Sequence, residues 1–277
     1  MAGDPILQEE EASVLAPKLF ITTALLWRPL ESLQHSERPL LAESHVLDLH
    51  CDRILAAAEA LSWKAVIKPF SGETGRRHFH AILHDSIPDA IKKSSLVSST
   101  WKVRVLVSEN GSIQVLPAPV GLSLVSGMPQ WPLLPEELHQ ILLGSEVSRV
   151  FVDTQPMLAS ILTTHKTTYR SHYDDARSRR NIEHHSPMQS EVLLFNEDQE
   201  VMEASLCTPY FLRDGVWMTP PLSSGGNAGV SRRMALEGGL CIEKLLHVGE
   251  LCDGERIWLS NAVRGFMQGR VDLSVGT

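Results

Sequence analysis

Thr163-Thr-His-Lys166-Thr-Thr-Tyr-Arg170 is the stretch on which the reading of this 277-residue chain turns. An apolar strand pattern, Ser148 to Asp153, and a short loop precede it. The polar run Thr167 to Arg180 reads as a helix that Lys166 opens. A lysine that bonds covalently to a carbonyl carbon must sit on rigid backbone, partly out of water, because only then does its amine shed its proton near neutral pH. A lone lysine is more often a solvated surface residue, so its surroundings decide.

Downstream, Glu191 to Asn196 reads as a strand and Glu197-Asp198 as a turn. The next strand, Val201 to Ala204, carries Glu203 in otherwise apolar company. A buried, unpaired carboxylate costs free energy. A protonated ring nitrogen of a ligand or a structural salt bridge would satisfy it. Strands follow at Tyr210 to Arg213 and, past Asp214-Gly215, at Val216 to Thr219. Then comes Pro221-Leu-Ser-Ser-Gly-Gly-Asn-Ala-Gly-Val-Ser-Arg-Arg233. Its small residues let backbone approach an anion, and the start of the next helix offers N–H groups to bind it. The spacing fits neither a Walker A loop nor a G-x-G-x-x-G fingerprint. The pattern predicts a helix over Val230 to Leu246, broken or bent near Gly238-Gly239, and a last clear strand over Arg256 to Ser260.

Upstream, Leu19 to Trp27 predicts a strand and residues 28–44 a loop. Leu47, Ile54, Ala57, Ala58 and Leu61 form one helical stripe. A second helix is expected over 74–92, with Phe79, Ile82 and Leu83 inward. Trp101 to Val107 alternates, Asn110-Gly111 turns, and Ser112 to Leu116 returns as a hairpin. Prolines 117, 119, 129, 132 and 135 predict an irregular crossing segment, with a short helix at 136–143. The expected division is a small domain over 1–120, a linker over 121–147 and a strand-rich domain over 148–277. The first half reads as α+β and the second as α/β.

Composition narrows the classes. With 43% hydrophobic and 21% charged residues, the chain reads as a folded protein, and its net charge of −8 argues against a nucleic-acid binder. There is no apolar run long enough to span a membrane. The acidic start resembles neither a secretory signal nor a mitochondrial presequence, so the cytosol is the expected location. Cys51, Cys207, Cys241 and Cys252 contain no C-x-x-C pair and read as reduced thiols, mostly packing.

The ordered set Lys166, Glu203-Ala204-Ser205, Tyr210-Phe211-Leu212, Thr219-Pro220 and Gly229-Val230 before Arg232-Arg233 resembles the cofactor half of class IV pyridoxal 5'-phosphate enzymes. His50-Cys-Asp-Arg53-Ile54 is similar to the family's His-x-x-Arg-Leu helix, and Trp258 to Gly265 to its late strand and loop. The resemblance spans about residues 18–270. It implies a fold-type IV, D-amino-acid-aminotransferase-like architecture, with a small N-terminal α/β domain, a larger strand-rich C-terminal domain and the cofactor in the cleft between them. It implies that Lys166 bonds the cofactor and serves as general base, that Glu203 faces the ring nitrogen, and that Arg53, Gly229 and Val230 hold the phosphate. Arg170 would lie near the ring hydroxyl, and Asn261 and Ala262 beside the cofactor. Arg170 at lysine plus four and Ser260-Asn261-Ala262 look most like the fungal-type 4-amino-4-deoxychorismate lyases. That branch releases pyruvate and forms 4-aminobenzoate, a folate precursor. Thr23, Asn261 and Arg264 are nominated to contact a small-molecule substrate, and family analogy implies a homodimer.

Two other readings stay open: a class IV aminotransferase acting on branched-chain or D-amino acids, and a cofactor-free family member acting as an interaction subunit. His78, His80, His165, His172, His184 and His185 do not form a converging metal set. Arg177, Arg179 and Arg180 read as a solvated helix end. No G-x-S-x-G elbow supports Ser-His-Asp hydrolysis.

Overall fold

Apolar alternation builds the first sheet as expected. The computed structural model describes residues 18–28, 41–120 and 147–274. Strands β1 (Ile21–Trp27), β2 (Trp101–Val107) and β3 (Ile113–Pro119) pair antiparallel in that order. Ile21, Leu25, Trp101, Val103 and Val105 are buried on one face. That face packs on helices α1 (Leu41–Ala60), α2 (Lys64–Phe70) and α3 (Gly72–Ser94). The stripe of α1 points inward at Leu47, Ile54, Ala57 and Ala58, and α3 contributes Phe79, Leu83 and Ile87.

Two expectations here are corrected, and one helix is added. Helix α1 starts at Leu41, so 41–44 is helical, although that turn lacks the apolar spacing that marks the rest. Helix α2 had no signal of its own, being short and carrying Pro69. Strand β3 runs through Pro117 and Pro119, which pair with Val103 and Trp101. Those prolines are tolerated because β3 is an edge strand, where a missing N–H costs no ladder bond. Residues 121–146, with the expected helix at 136–143, lie outside the described residues.

The second sheet has eight strands: β4 (Ser148–Val152), β5 (Ser190–Phe195), β6 (Val201–Ala204), β7 (Thr208–Arg213), β8 (Val216–Thr219), β9 (Ile242–Glu243), β10 (Arg256–Asn261) and β11 (Gly265–Asp272). Their order is β6-β5-β4-β11-β10-β7-β8-β9, with β4 parallel to both β5 and β11. Strand β11 escaped the sequence reading because Gly265, Gln268 and Gly269 break its apolar pattern. Yet it is central, and a Cβ at Gly269 would stand 2.8 Å from Val150 Cγ2. Two helices lie between β4 and β5: a single turn, α4 (Ile161–Thr164), capped by Ser160, and α5 (Ser171–Arg179). Helix α6 (Val230–Glu237) breaks at Gly238-Gly239, as the glycine pair suggests, and the helix does not resume toward Leu246. Among the described residues, no helix is long and apolar enough to cross a membrane.

Candidate active site

Lys166 does not open a helix. The run Thr163 to Thr168 is rich in β-branched threonine, and its end is extended. Thr22 N–H donates to Lys166 O at 2.9 Å, and Thr168 N–H to Phe20 O at 2.9 Å. This two-bond clasp ties the lysine to β1 of the first sheet, while its own segment belongs to the second. Lys166 therefore sits at the seam, in a cleft of about 280 Å³. Helix α5 begins five residues later.

The cleft gathers most of the expected residues. Arg53, Lys166, Arg170, Glu203, Gly229, Val230, Asn261, Ala262 and Arg264 all line it. Thr23 does not. Strand alternation turns Ala24 toward the cleft and Thr23 toward α1. There Thr23 Oγ1 meets His50 Nδ1 at 2.6 Å, fully buried. Asn261 shapes the wall: its Oδ1 accepts the N–H groups of Val263 and Arg264 at 3.1 and 2.9 Å, fixing the turn between β10 and β11.

The electrostatics favour an uncharged amine. Burial, then the neighbouring guanidinium groups of Arg53 and Arg170, lower the Lys166 amine to about 7, against the pull of Glu203. Burial raises the Glu203 carboxyl to about 7, although hydrogen bonds from Tyr173 and the Asn227 backbone favour its ionised form. Tyr173 O–H donates to Glu203 Oε1 at 2.5 Å. His50 is pushed down to about 3 by burial and by the charges of Arg53 and Lys166, so it is neutral.

One end of the cleft suits an anion. Arg53 reaches from α1 to Asn227 in the glycine loop, and its Nε is shielded with no partner among the described residues. Gly229 stands at the N-terminus of α6, which no side chain caps. The loop lies tight on β6: a Cβ at Gly226 would come 2.3 Å from Met202 O, and Gly225 has φ +97°. Both positions thus require glycine.

Residues that the sequence did not single out complete the walls. Tyr173 and Asn227 hold Glu203, and Lys102 enters from β2. The basic run is not a solvated helix end. Arg177 is buried, donating to Ser205 Oγ and Ile182 O at 2.8 Å each, and lies 3.7 Å from Glu191. Arg179 forks onto Asp153, and Arg180 bonds Val152 O. No local pattern could have shown these partners. Cys51, Cys207 and Cys241 are buried and Cys252 is exposed, all as free thiols.

A sequence profile of the family described as amino-transferase class IV matches residues 43–270, and the chain belongs to that family. The Saccharomyces cerevisiae aminodeoxychorismate lyase is 29% identical over 212 residues, covering 66% of this chain and 54% of the yeast protein. The match thus spans about half of that relative's length. A Schizosaccharomyces pombe protein provisionally named for the same lyase is 25% identical over 230 residues, covering 82% of this chain and 84% of its own. Among solved structures, a hypothetical aminotransferase from Mycobacterium tuberculosis in its PLP-bound form matches with TM-score 0.59 at 16% identity. That match covers 94% of this chain and 83% of that one. The fold is that of the fold-type IV aminotransferases and lyases.

Proposed function

We propose that this chain is a pyridoxal 5'-phosphate-dependent lyase that converts 4-amino-4-deoxychorismate to pyruvate and 4-aminobenzoate. The observation that carries the cofactor reading is the Lys166 amine, lowered to about 7, sharing a cleft with the buried carboxylate of Glu203. The residues fit the group. The shielded, unpartnered Nε of Arg53 and the uncapped start of α6 suit a phosphate. Glu203 offers a carboxylate to a ring nitrogen, and Lys166 an amine to an aldehyde. When bound, pyridoxal phosphate supplies an electron sink for the pair left when a bond to the carbon beside an amine breaks.

The chain supplies binding and proton handling. Arg53, Gly229 and Val230 anchor the phosphate end, and ionised Glu203 favours a protonated ring nitrogen. Lys166 Nζ, half neutral near pH 7, takes the proton from the carbon beside the substrate amine. In the lyase reaction the same Nζ returns a proton to the departing enolpyruvyl fragment. The yeast relatives' names and Arg170 at lysine plus four support the lyase over the aminotransferase. Arg170 lines the cleft with its guanidinium 4.9 Å from the centre of the Tyr173 ring. A cleft of about 280 Å³ is of small-molecule size.

The test is direct. Protein mixed with pyridoxal phosphate should turn yellow, and borohydride should fix the cofactor on Lys166. Aminodeoxychorismate should then yield pyruvate and 4-aminobenzoate. Amino transfer from D- or branched-chain amino acids without pyruvate would make it an aminotransferase. Absence of both colour and label would leave the non-catalytic reading.

A further inference from the structure

We infer that Asn227 is a positioning residue that holds Arg53 ready for a phosphate and ties that end of the cleft to the Glu203 wall. The inference deepens the proposed function and rests on its reading of the Arg53 end as an anion cradle.

Arg53 makes no ion pair among the described residues. Its side chain donates through Nη2 to Asn227 Oδ1, and among the described residues its Nε has no partner. Burial lowers the guanidinium to about 10, against the opposing influence of Glu203 and Tyr173. A shielded cation without its own carboxylate is a stored preference for an anion. Arginine is also long and rotamer-rich, so unless something orders it beforehand, a ligand must bear the ordering cost. Asn227 provides that order at no charge.

Its orientation is dictated on both sides. Asn227 Nδ2 donates to Thr163 O at 3.2 Å, so Oδ1 must face the guanidinium. A flipped amide would put acceptor against acceptor and donor against donor. The backbone N–H of the same residue bonds Glu203. One residue of the glycine loop thus touches α1, the turn before Lys166, and β6. Aspartate in its place would neutralise Arg53 and repel Thr163 O. Leucine would satisfy neither partner.

Two measurements test this, using Asn227→Leu and the isosteric Asn227→Asp. The first is the thermal upshift that inorganic phosphate gives the cofactor-free protein. The second is the affinity for pyridoxal phosphate relative to pyridoxal, which reaches Lys166 but lacks the phosphate. In the wild type we expect an upshift and a strong preference for the phosphorylated form. Both variants should lose the upshift and bind pyridoxal phosphate about tenfold more weakly, the worth of one hydrogen bond to a charged group. Their affinity for pyridoxal should change by less than about twofold, within the context scatter of such contacts. Melting midpoints without phosphate show whether each variant is folded, and the isosteric change keeps the test open if leucine disrupts the loop. Equal weakening of both ligands, or an unchanged preference, overturns the inference. A wild type with neither upshift nor preference would instead sink the cradle, and the proposed function with it.

Discussion

Glu191 and Glu203 stand on neighbouring strands of the large sheet, both buried, and they are satisfied in opposite ways. Glu191 on β5 faces a guanidinium, Arg177, at 3.7 Å. Its Oε2 accepts from Ser205 Oγ at 2.8 Å and from the Val192 N–H at 3.2 Å. Arg177 is in turn bonded to Ile182 O and His185 O. That network ties the carboxylate to a cation of its own, although Ser205 and His185 also reach the wall of the cleft. Glu203 on β6 has a phenol and a backbone N–H, and its cations, Lys166 and Arg53, act on it across the cleft. A carboxylate with its own arginine is held in place by structure. One given only neutral donors stays short of positive charge until a ligand supplies it. The same chemical group, a dozen positions along the chain, thus has a cation of its own in one place and, under the proposed function, awaits one from a ligand in the other.

Three substitutions would break or sharpen this contrast. Lys166→Ala removes the amine that makes the Glu203 side a site at all. Turnover should fall by at least ~10³-fold and borohydride labelling should vanish, since both anchor and base are lost. Retained turnover would leave Glu203 facing nothing that reacts. Glu203→Gln should lower turnover by ~10²-fold, the usual worth of one preorganised electrostatic partner, with little change in melting midpoint. Glu191→Gln should do the reverse. It removes the carboxylate that faces the buried Arg177 and should cost about 3 kcal/mol in denaturant unfolding, while activity per folded molecule stays near wild type. If both glutamates gave the same signature, the distinction would be wrong.

The sequence showed one side of this contrast and hid the other. Lys166, Glu203 and the Gly229-Val230 turn are each weak signals alone, and their order along the chain, matched to the class IV pattern, is what makes them site candidates. Arg53 was legible only by resemblance, because a helical arginine is ordinary. Tyr173 and Asn227 give no signal because their partners lie far along the chain: Asn227 meets Arg53 across 174 positions and Tyr173 meets Glu203 across 30. The conformation at Lys166 is set by an equally distant contact. The β1 pairing at Phe20 and Thr22 makes Thr167 extended, and local pattern cannot see a strand that distant. Thr23 was misplaced by one step of alternation, which suffices to turn a side chain from cleft to core. On the small sheet the stripe of α1 and, on α3, Phe79 and Leu83 follow the helical spacing, since burial there is one-sided and periodic, while Ile82 is half-buried outside the core and Ile87 takes the inward place.

The smallest predicted effect is the finest probe of how Glu203 is held. Burial, the charge of Glu203 and its hydrogen bond raise the Tyr173 phenol well above its ordinary range, so it keeps its proton and donates. Tyr173→Phe would keep the ring against Arg170 and His172 and delete only the donor. A hydrogen bond to the ionised form lowers a carboxyl's pKa, so its loss raises Glu203 above about 7. The proposed chemistry needs Lys166 neutral and Glu203 ionised, and both conditions are met as pH rises through about 7. The rate should therefore fall on the acid side of neutrality, with a limb that belongs to the coupled pair. In the variant that limb should move to higher pH by up to about one unit, equivalent to ~1.4 kcal/mol. The plateau rate near pH 9 should stay within about twofold of wild type, because a carboxylate far above its pKa no longer needs the phenol to stay charged. The measurement is the pH profile of turnover for both proteins. A limb that does not move would mean that the backbone N–H of Asn227 holds the charge alone, and that the Glu203 side has one neutral donor where the contrast assigns it two.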